Sequence, residues 1–433
     1  MLQTLSDLLW GIPTMALMLL VGLVMTFRTR FVQVRKLGAS FRFVGRSIAA
    51  PTEGVSPFQA VCTALAATVG TGNIAGVAGA LALGGPGAVF WMWVSAFLGM
   101  ATKYAEVVLA MRYRQKINGQ WQGGAMYCIR SGMGKPKLAA LFAGFTVLAS
   151  FGMGNLAQVN TIATSVRTAL PALRPEPLLL FTGMAVAVLV ALVTTGGAKR
   201  IGTLMERLVP LVAVAYLFGS AAVLAAHWER LPMAVSAIFR GAFAPEAVLG
   251  GGVGIGIRQA MRWGISRGVF SNEAGLGSAP MAHASAEASP EEQGLMGIFE
   301  VFLDTVVLCT LTALTVLVSG VPIPYGEAAG AELAAAALGT VFGNYAAGLL
   351  SVCITLLALA TLISWQLYGT RCAGYLFGSR GERLYRLVYA AVIILGATMD
   401  LSAAWAVSDL FNGLMALPNL LMLLSLRKEI VCS

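Results

Sequence analysis

Between Ala66 and Gly79 the chain reads AATVGTGNIAGVAG, an apolar, helix-like segment interrupted at its middle by Val69-Gly70-Thr71-Gly72-Asn73. Two glycines around a threonine, followed by an asparagine, are unfavourable in a helix interior. At membrane depth, freed backbone amides and carbonyls persist only where protein or a watery cavity receives them. The interruption therefore faces a polar ligand. A second interruption lies near Gly275, in Phe270 to Pro280 (FSNEAGLGSAP), about two hundred residues downstream. Paired interrupted helices at corresponding places in two halves are the signature of an inverted-repeat secondary transporter, with its site near the bilayer midplane.

The rest of the chain supports a membrane setting. Of 433 residues, 58% are hydrophobic and only 11% charged, and several apolar runs reach the roughly 20 residues needed to cross hydrocarbon. The 50 glycines sit inside these runs, which suits close helix packing rather than disorder. A net charge of +10 does not indicate nucleic-acid binding, because the basic residues fall in short clusters between apolar runs, where they set orientation. Cys62, Cys128, Cys309, Cys353, Cys372 and Cys432 form no CxxC pair and read as small apolar residues rather than a disulfide framework or metal site. Leu8 to Phe27 lacks a basic start and a cleavage pattern, so it reads as a retained first helix rather than a secretory signal.

Eleven spans are expected, at about 8–27, 57–82, 88–111, 138–168, 177–195, 203–226, 248–286, 294–318, 345–370, 383–398 and 403–426. Basic clusters at 28–46, 112–137, 199–207 and 371–386, with Arg427 and Lys428, mark the cytoplasmic side. That places the N-terminus outside and the C-terminus in the cytoplasm of a multi-pass protein of the plasma (inner) membrane. Without the first helix ten spans remain, and the interrupted ones are the first and sixth. The expected fold is thus an all-α polytopic membrane protein with one peripheral helix and a five-plus-five inverted repeat. Residues 1–50 form the peripheral helix and its basic loop, 51–226 the first repeat, and 227–433 an external connection and the second repeat.

A broken helix exposes amides on one half and carbonyls on the other. Amides suit a carboxylate and carbonyls suit a small cation. Thr71, Gly72 and Asn73 are therefore candidates for an anionic substrate group, and carbonyls near Ala66 and Val69 for a sodium ion; the alternative is that the glycines only allow close helix approach. Glu273, in the second break, either neutralises a cation or amine, sits in an aqueous vestibule or pairs with Arg267. Arg258 and Arg262 share a helix face and are expected to partner intramembrane acids. Asn155, Gln158 and Thr161 form a polar stripe that is either a substrate contact or interhelical glue. Thr361, Ser364 or Trp365, and Tyr368 share a face whose hydroxyls could complete a cation site. Lys103, Glu106, Glu300 and Asp304 belong either to a proton path or to internal ion pairs. No nucleophile, base and oxyanion hole are legible together, so an enzyme is not expected.

At these residues the sequence resembles the alanine or glycine:cation symporter family, also described as sodium:alanine symporters. ALAATVGTGNIAGVA at 64–78, GGPGAVFWMW at 84–93 and FSNEAGLGSAPMAHA at 270–284 carry the resemblance. The family is similar in fold to the leucine-transporter superfamily, whose VGxGN break resembles Val69 to Asn73. The resemblance implies sodium-coupled, in some members proton-coupled, uptake of small neutral amino acids by alternating access. By position it implies that Thr71, Gly72 and Asn73 hold the substrate carboxylate, with Gln158 and Trp365 completing a pocket. Phe270 and Ser271 through Gly275 and Gly277 would lie opposite. Backbone at Ala66 and Val69, with Thr361 and Ser364, would form the sodium site. Two other readings are a proton-coupled amino acid symporter and a passive facilitator for a small polar solute, which would not concentrate its substrate.

Overall fold

The structure, a computed structural model, describes residues 12–48, 52–170, 172–243, 247–249, 253–399 and 402–430. Residues 8–11 of the expected first helix and Cys432 lie outside these. All eleven expected segments contain helix among the described residues. Among the described residues six helices are long and apolar enough to cross a membrane, or seven with one bent pair. Shorter apolar helices at Pro13–Arg28, Ala331–Phe342 and Leu410–Ser425 accompany them.

The first interrupted helix begins with α1 (Pro57–Thr68), where Ser56 and Gln59 form a reciprocal capping box and Pro57 occupies the first turn. Val69 then turns extended, with ψ 104°. A π-helical turn at Gly72–Gly76 leads into α2 (Val77–Gly84), and the two halves bend by 53°. Helix α3 (Gly87–Arg112) follows. A hairpin, β1 (Gln115–Ile117) with β2 (Gln120–Gln122), occupies part of the basic loop before the next span. That span is α4 (Pro136–Phe151) and α5 (Ala157–Ala169), joined by a π turn at Gly152–Leu156. Helices α6 (Pro175–Thr194) and α7 (Gly197–Ala226) complete the first half.

The expected external connection holds a helix at Leu231–Phe243. The second interrupted helix starts at Ile257 rather than near 248, because 247–249 and 253–255 pair as a small hairpin. Its first part is α8 (Ile257–Asn272); Glu273 closes it with φ 53°, and helix resumes only for Pro280–His283. Gly275 and Gly277, with φ 97° and 79°, supply the left-handed turns between. Then come α9 (Pro290–Val301), a π stretch at Phe302–Cys309 and α10 (Thr310–Ser319). Helix α11 runs from Tyr345 to Thr398 but is non-helical at Gly378 (φ 66°). Its 54 residues would reach about 80 Å if straight, far more than a bilayer. The break at Gly378 makes it two helices, and the basic cluster 371–386 flanks the turn. Helix α12 (Ser402–Ser425) ends the bundle.

The two interrupted helices run in opposite directions. Val55, just before α1, bridges to Ala286, just after the second break, and Glu287 N donates to Val55 O at 2.9 Å. At the other end, a Cβ on Gly84 would lie 2.8 Å from Trp263 Cβ, so the end of α2 rests on the start of α8. The breaks consequently meet at mid-length in the bundle interior.

Candidate functional site

The breaks meet through a carboxylate. Asn73 Oδ1 accepts from Gly70 N at 2.9 Å, closing one amide that the interruption frees. Asn73 Nδ2 donates to Asp304 Oδ1 at 2.7 Å and lies 3.0 Å from Ser271 Oγ. Ser271 Oγ and Thr305 Oγ1 donate to Asp304 Oδ2 at 2.7 and 2.8 Å. Asn272 Nδ2 in turn donates to Thr305 Oγ1 at 3.1 Å. Asp304 is fully buried, and its two oxygens share three neutral donors, which can hold a carboxylate charge. It stands on one π stretch facing Asn73 on another; such irregular turns recur at functional sites because they displace side chains from the regular helix register.

On the other side of the first break is a small cavity of about 20 Å³, enough for about one water molecule. Thr71, Gly72, Gln158, Phe270 and Thr361 line it, with Met153. Gly72 faces Phe270 of the other interrupted helix: a Cβ there would lie 3.7 Å from the ring, an ordinary contact, so a small side chain would fit by space alone. Gln158 Nε2 donates to Met153 O at 3.1 Å, across the π turn, while its buried Oε1 has no hydrogen-bond partner among the described residues. Of the polar stripe, Asn155 serves as interhelical glue, donating to Tyr389 O at 2.9 Å.

Of the expected cation ligands, Thr361 Oγ1 lies 3.0 Å from Ala66 O, and also 3.0 Å from Leu357 O in its own helix. Val69 closes α1 with its extended backbone. Ser364 Oγ, three residues beyond Thr361, is buried without a partner among the described residues. An oxygen pair from two helices, with an unpaired hydroxyl one turn along α11, is of the type a hard cation takes as ligands.

The remaining expected residues sit farther from the cavity. Trp365 is fully buried behind Gly154, whose Cβ would lie 2.4 Å from Trp365 Cβ. Gly275 N donates to Glu106 Oε1 at 3.0 Å, and Gly275 O accepts from Asn419 Nδ2 at 2.9 Å. Gly277 faces Asn419, 2.7 Å from where a Cβ would stand. Their function in the fold is to shape the second break. Glu273 accepts from Ser278 Oγ at 2.5 Å, while Arg267 lies over the Trp263 and Phe270 rings. Arg258 and Arg262 are exposed and form no ion pair among the described residues, contrary to the expectation that they meet intramembrane acids. The outward face of α8 carries them.

The charged residues of the interior separate by partner. Lys103 Nζ lies 3.2 Å from Glu300 Oε1, His283 Nε2 lies 2.9 Å from Glu300 Oε2, and all three are fully buried. Glu300 and Asp304 thus serve different networks despite their four-residue spacing. The central position of Asp304 was not legible from spacing alone; its one early signal was a carboxylate inside an apolar run.

A sequence profile described as the Sodium:alanine symporter family matches residues 1–433. The sodium/alanine symporter AgcS of Methanococcus maripaludis is 41% identical over 100% of this chain and 95% of its own length. An uncharacterized transporter of Haemophilus influenzae is 43% identical over 99% of this chain and 94% of its own length. Among solved structures, MhsT in complex with L-phenylalanine matches with a TM-score of 0.58 at 14% identity, covering 86% of this chain and 89% of that one. At that identity the likeness concerns the fold.

Proposed function

Because the chain belongs to the sodium:alanine symporter family, we propose that it couples sodium influx to uptake of a small neutral amino acid, alanine or glycine, by alternating access. The observation that carries this reading is the 3.0 Å approach of Thr361 Oγ1 to Ala66 O. It sets a hydroxyl from α11 against a carbonyl near the end of α1, beside the cavity that Thr71 and Gly72 line, where a broken helix frees amides that suit a carboxylate.

Sodium binds first, between Ala66, Val69, Thr361 and Ser364, and fixes the end of α1. The amides of Thr71 and Gly72 then face the substrate carboxylate, with Gln158 receiving the polar end and Phe270 limiting side-chain volume. Asn73 and Ser271 couple the two breaks through Asp304. Trp365 supports the wall through Gly154, and Gly275 and Gly277 set the path of the second break. A cavity of about 20 Å³ is too small for an amino acid, so loading requires the helices to part and closure follows binding. The sodium gradient adds about 2.3 kcal/mol per charge at 100 mV to its chemical part. The arrangement serves a plasma-membrane protein with its N-terminus outside and its C-terminus cytoplasmic, in which residues 51–226 form the first inverted repeat, 227–433 the external connection and the second, and one helix bundle rocks to open the inner side.

A proton-coupled symporter is the second reading. It is favoured by Glu106 Oε2 and Glu273 Oε1, buried carboxylate oxygens without a partner among the described residues. Uptake of labelled alanine and glycine into proteoliposomes separates the two. Accumulation above equilibrium under an inward sodium gradient, and not under potassium or proton gradients, is expected. Accumulation driven by protons alone would support the second reading, and equilibration without accumulation would leave a passive facilitator.

A further inference from the structure

Helix α11 lines a second hollow, separate from the central cavity and much larger, of about 230 Å³. Thr361, at the central cavity, and Arg371, at this one, lie about 15 Å apart along α11 at about 1.5 Å per residue. The corner Thr194 to Ala198 between α6 and α7 forms part of the wall, and the Gln120 side chain of the β1–β2 hairpin reaches between that corner and Arg371, its Nε2 3.3 Å from where a Cβ on Gly197 would stand.

The lining has an excess of positive charge. Arg371 and Arg386 face Glu382, and Arg386 Nη2 lies 3.9 Å from Glu382 Oε2. Two guanidinium groups against one carboxylate leave one charge unmatched. Arg371 is only 5% exposed. Its bond to Gln120 Oε1 is 3.5 Å long, at the limit of a hydrogen bond. A buried cation so weakly held is unfavourable unless an anion completes it. Thr370 Oγ1 lines the same hollow; it is buried, and neither it nor the buried Arg386 Nε has a hydrogen-bond partner among the described residues.

The backbone contributes in the same sense. Helix α7 begins at this wall with Gly196 as its N-cap and no side chain capping its first amides. Those 30 residues direct the positive end of the helix into the hollow. Gly197, with φ 68°, allows the sharp entry that exposes them.

We propose that this hollow binds one small group carrying a single negative charge, held, once the Gln120 side chain turns aside, between the Arg371 guanidinium, the Thr370 hydroxyl and the first amides of α7. Two sources share that chemistry: an inorganic anion such as chloride, and the carboxylate of an amino acid that has left the central cavity. Only the second source rests on the transport function proposed above. In that case the hollow is a staging site on the release path, reached along α11.

The test uses the full-length protein purified in detergent. Its thermal unfolding midpoint is followed at fixed sodium and ionic strength as 2-(N-morpholino)ethanesulfonate is replaced by chloride, and separately as alanine is added. An anion that binds the folded state raises the midpoint with concentration. Arg371→Gln is expected to raise the half-saturating concentration by about tenfold or more, and Arg371→Lys to restore most of the response. Asn73→Ala unlinks the two breaks at the central site and is used to separate the sources. A response to alanine that persists in Asn73→Ala and is lost with Arg371→Gln added assigns the hollow to a carboxylate. A response to chloride alone assigns it to an inorganic anion, independently of the transport reading. If Arg371→Gln does not fold, Thr370→Val, which leaves the charge in place, is expected to weaken the response about threefold. Absence of any response to chloride or alanine in the wild type, or an unchanged response in the folded Arg371 or Thr370 variants, overturns the proposal.

Discussion

Asn73 and Asp304, 231 residues apart in sequence, stand 2.7 Å apart between Nδ2 and Oδ1. Each lies on a π-helical irregularity, and Ser271 of the second broken helix joins both. The carboxylate is therefore the point at which the two interrupted helices register each other's position. Helix geometry at one break cannot change without disturbing hydrogen bonds at the other.

Asp304→Asn tests this coupling. The new amide places a donor among three existing donors, which costs about 1–3 kcal/mol where a buried group loses its partner. Sodium-driven alanine uptake is expected to fall by about tenfold or more, equivalent to at least ~1.4 kcal/mol. Ser271→Ala, which removes one donor and leaves Asn73 and Thr305 in place, is expected to give a smaller loss. Initial uptake rates in proteoliposomes, normalised to folded protein, measure both.

Thr361→Val removes the hydroxyl beside Ala66 O while keeping the side-chain shape. The half-saturating sodium concentration is expected to rise by about tenfold, with the unfolding midpoint in detergent nearly unchanged, since one hydrogen bond contributes about 1 kcal/mol. Thr361→Ser is expected to remain close to wild type. A sodium dependence unaltered in Thr361→Val would remove this residue from the cation site.

Lys103→Met leaves Glu300 in the interior with His283 as its remaining partner. Breaking one side of a buried ion pair costs about 3–5 kcal/mol, so a large fall in the unfolding midpoint is expected. Lys103→Met combined with Glu300→Gln is expected to recover much of it, because the uncompensated charge is gone. Thermal unfolding of the two variants beside the wild type is the measurement.

Phe270→Ala enlarges the cavity on the side facing Gly72. Removing a partly buried aromatic ring from the cavity wall relaxes the limit on side-chain volume, so leucine is expected to compete with labelled alanine in the variant and not in the wild type. A hydrophobic wall discriminates a single methylene by only about 1–3 kcal/mol, so the effect should grow with substrate size. Competition curves with glycine, alanine, valine and leucine test the trend.

Much of this arrangement was legible because membrane helices have strict requirements. Gly70, Gly72 and Asn73 could not continue a regular helix in an apolar run, so the break at Val69 to Asn73 was fixed by backbone satisfaction, whereas the approach of Thr361 to Ala66 was implied by the family resemblance and not by spacing. The second break was less readable. Its glycines were visible, but their partners Glu106 and Asn419 come from distant helices, and no local periodicity encodes such contacts. Asp304 shows the same limit: four-residue spacing grouped it with Glu300, whereas the π stretch at 302–309 directs the two carboxylates to different partners. Arg258 and Arg262 illustrate the converse, since a shared face does not say whether that face looks inward.

The most direct measurement of coupled transport is charge movement in proteoliposomes adsorbed on a solid-supported membrane, recorded when alanine is added in sodium or in potassium buffer. Sodium-coupled symport predicts an inward positive current in sodium that saturates with alanine, is absent in potassium, and is reduced about tenfold or more by Asp304→Asn. An alanine-evoked current of equal size in sodium-free buffer, or none in sodium while labelled alanine still equilibrates, would contradict it.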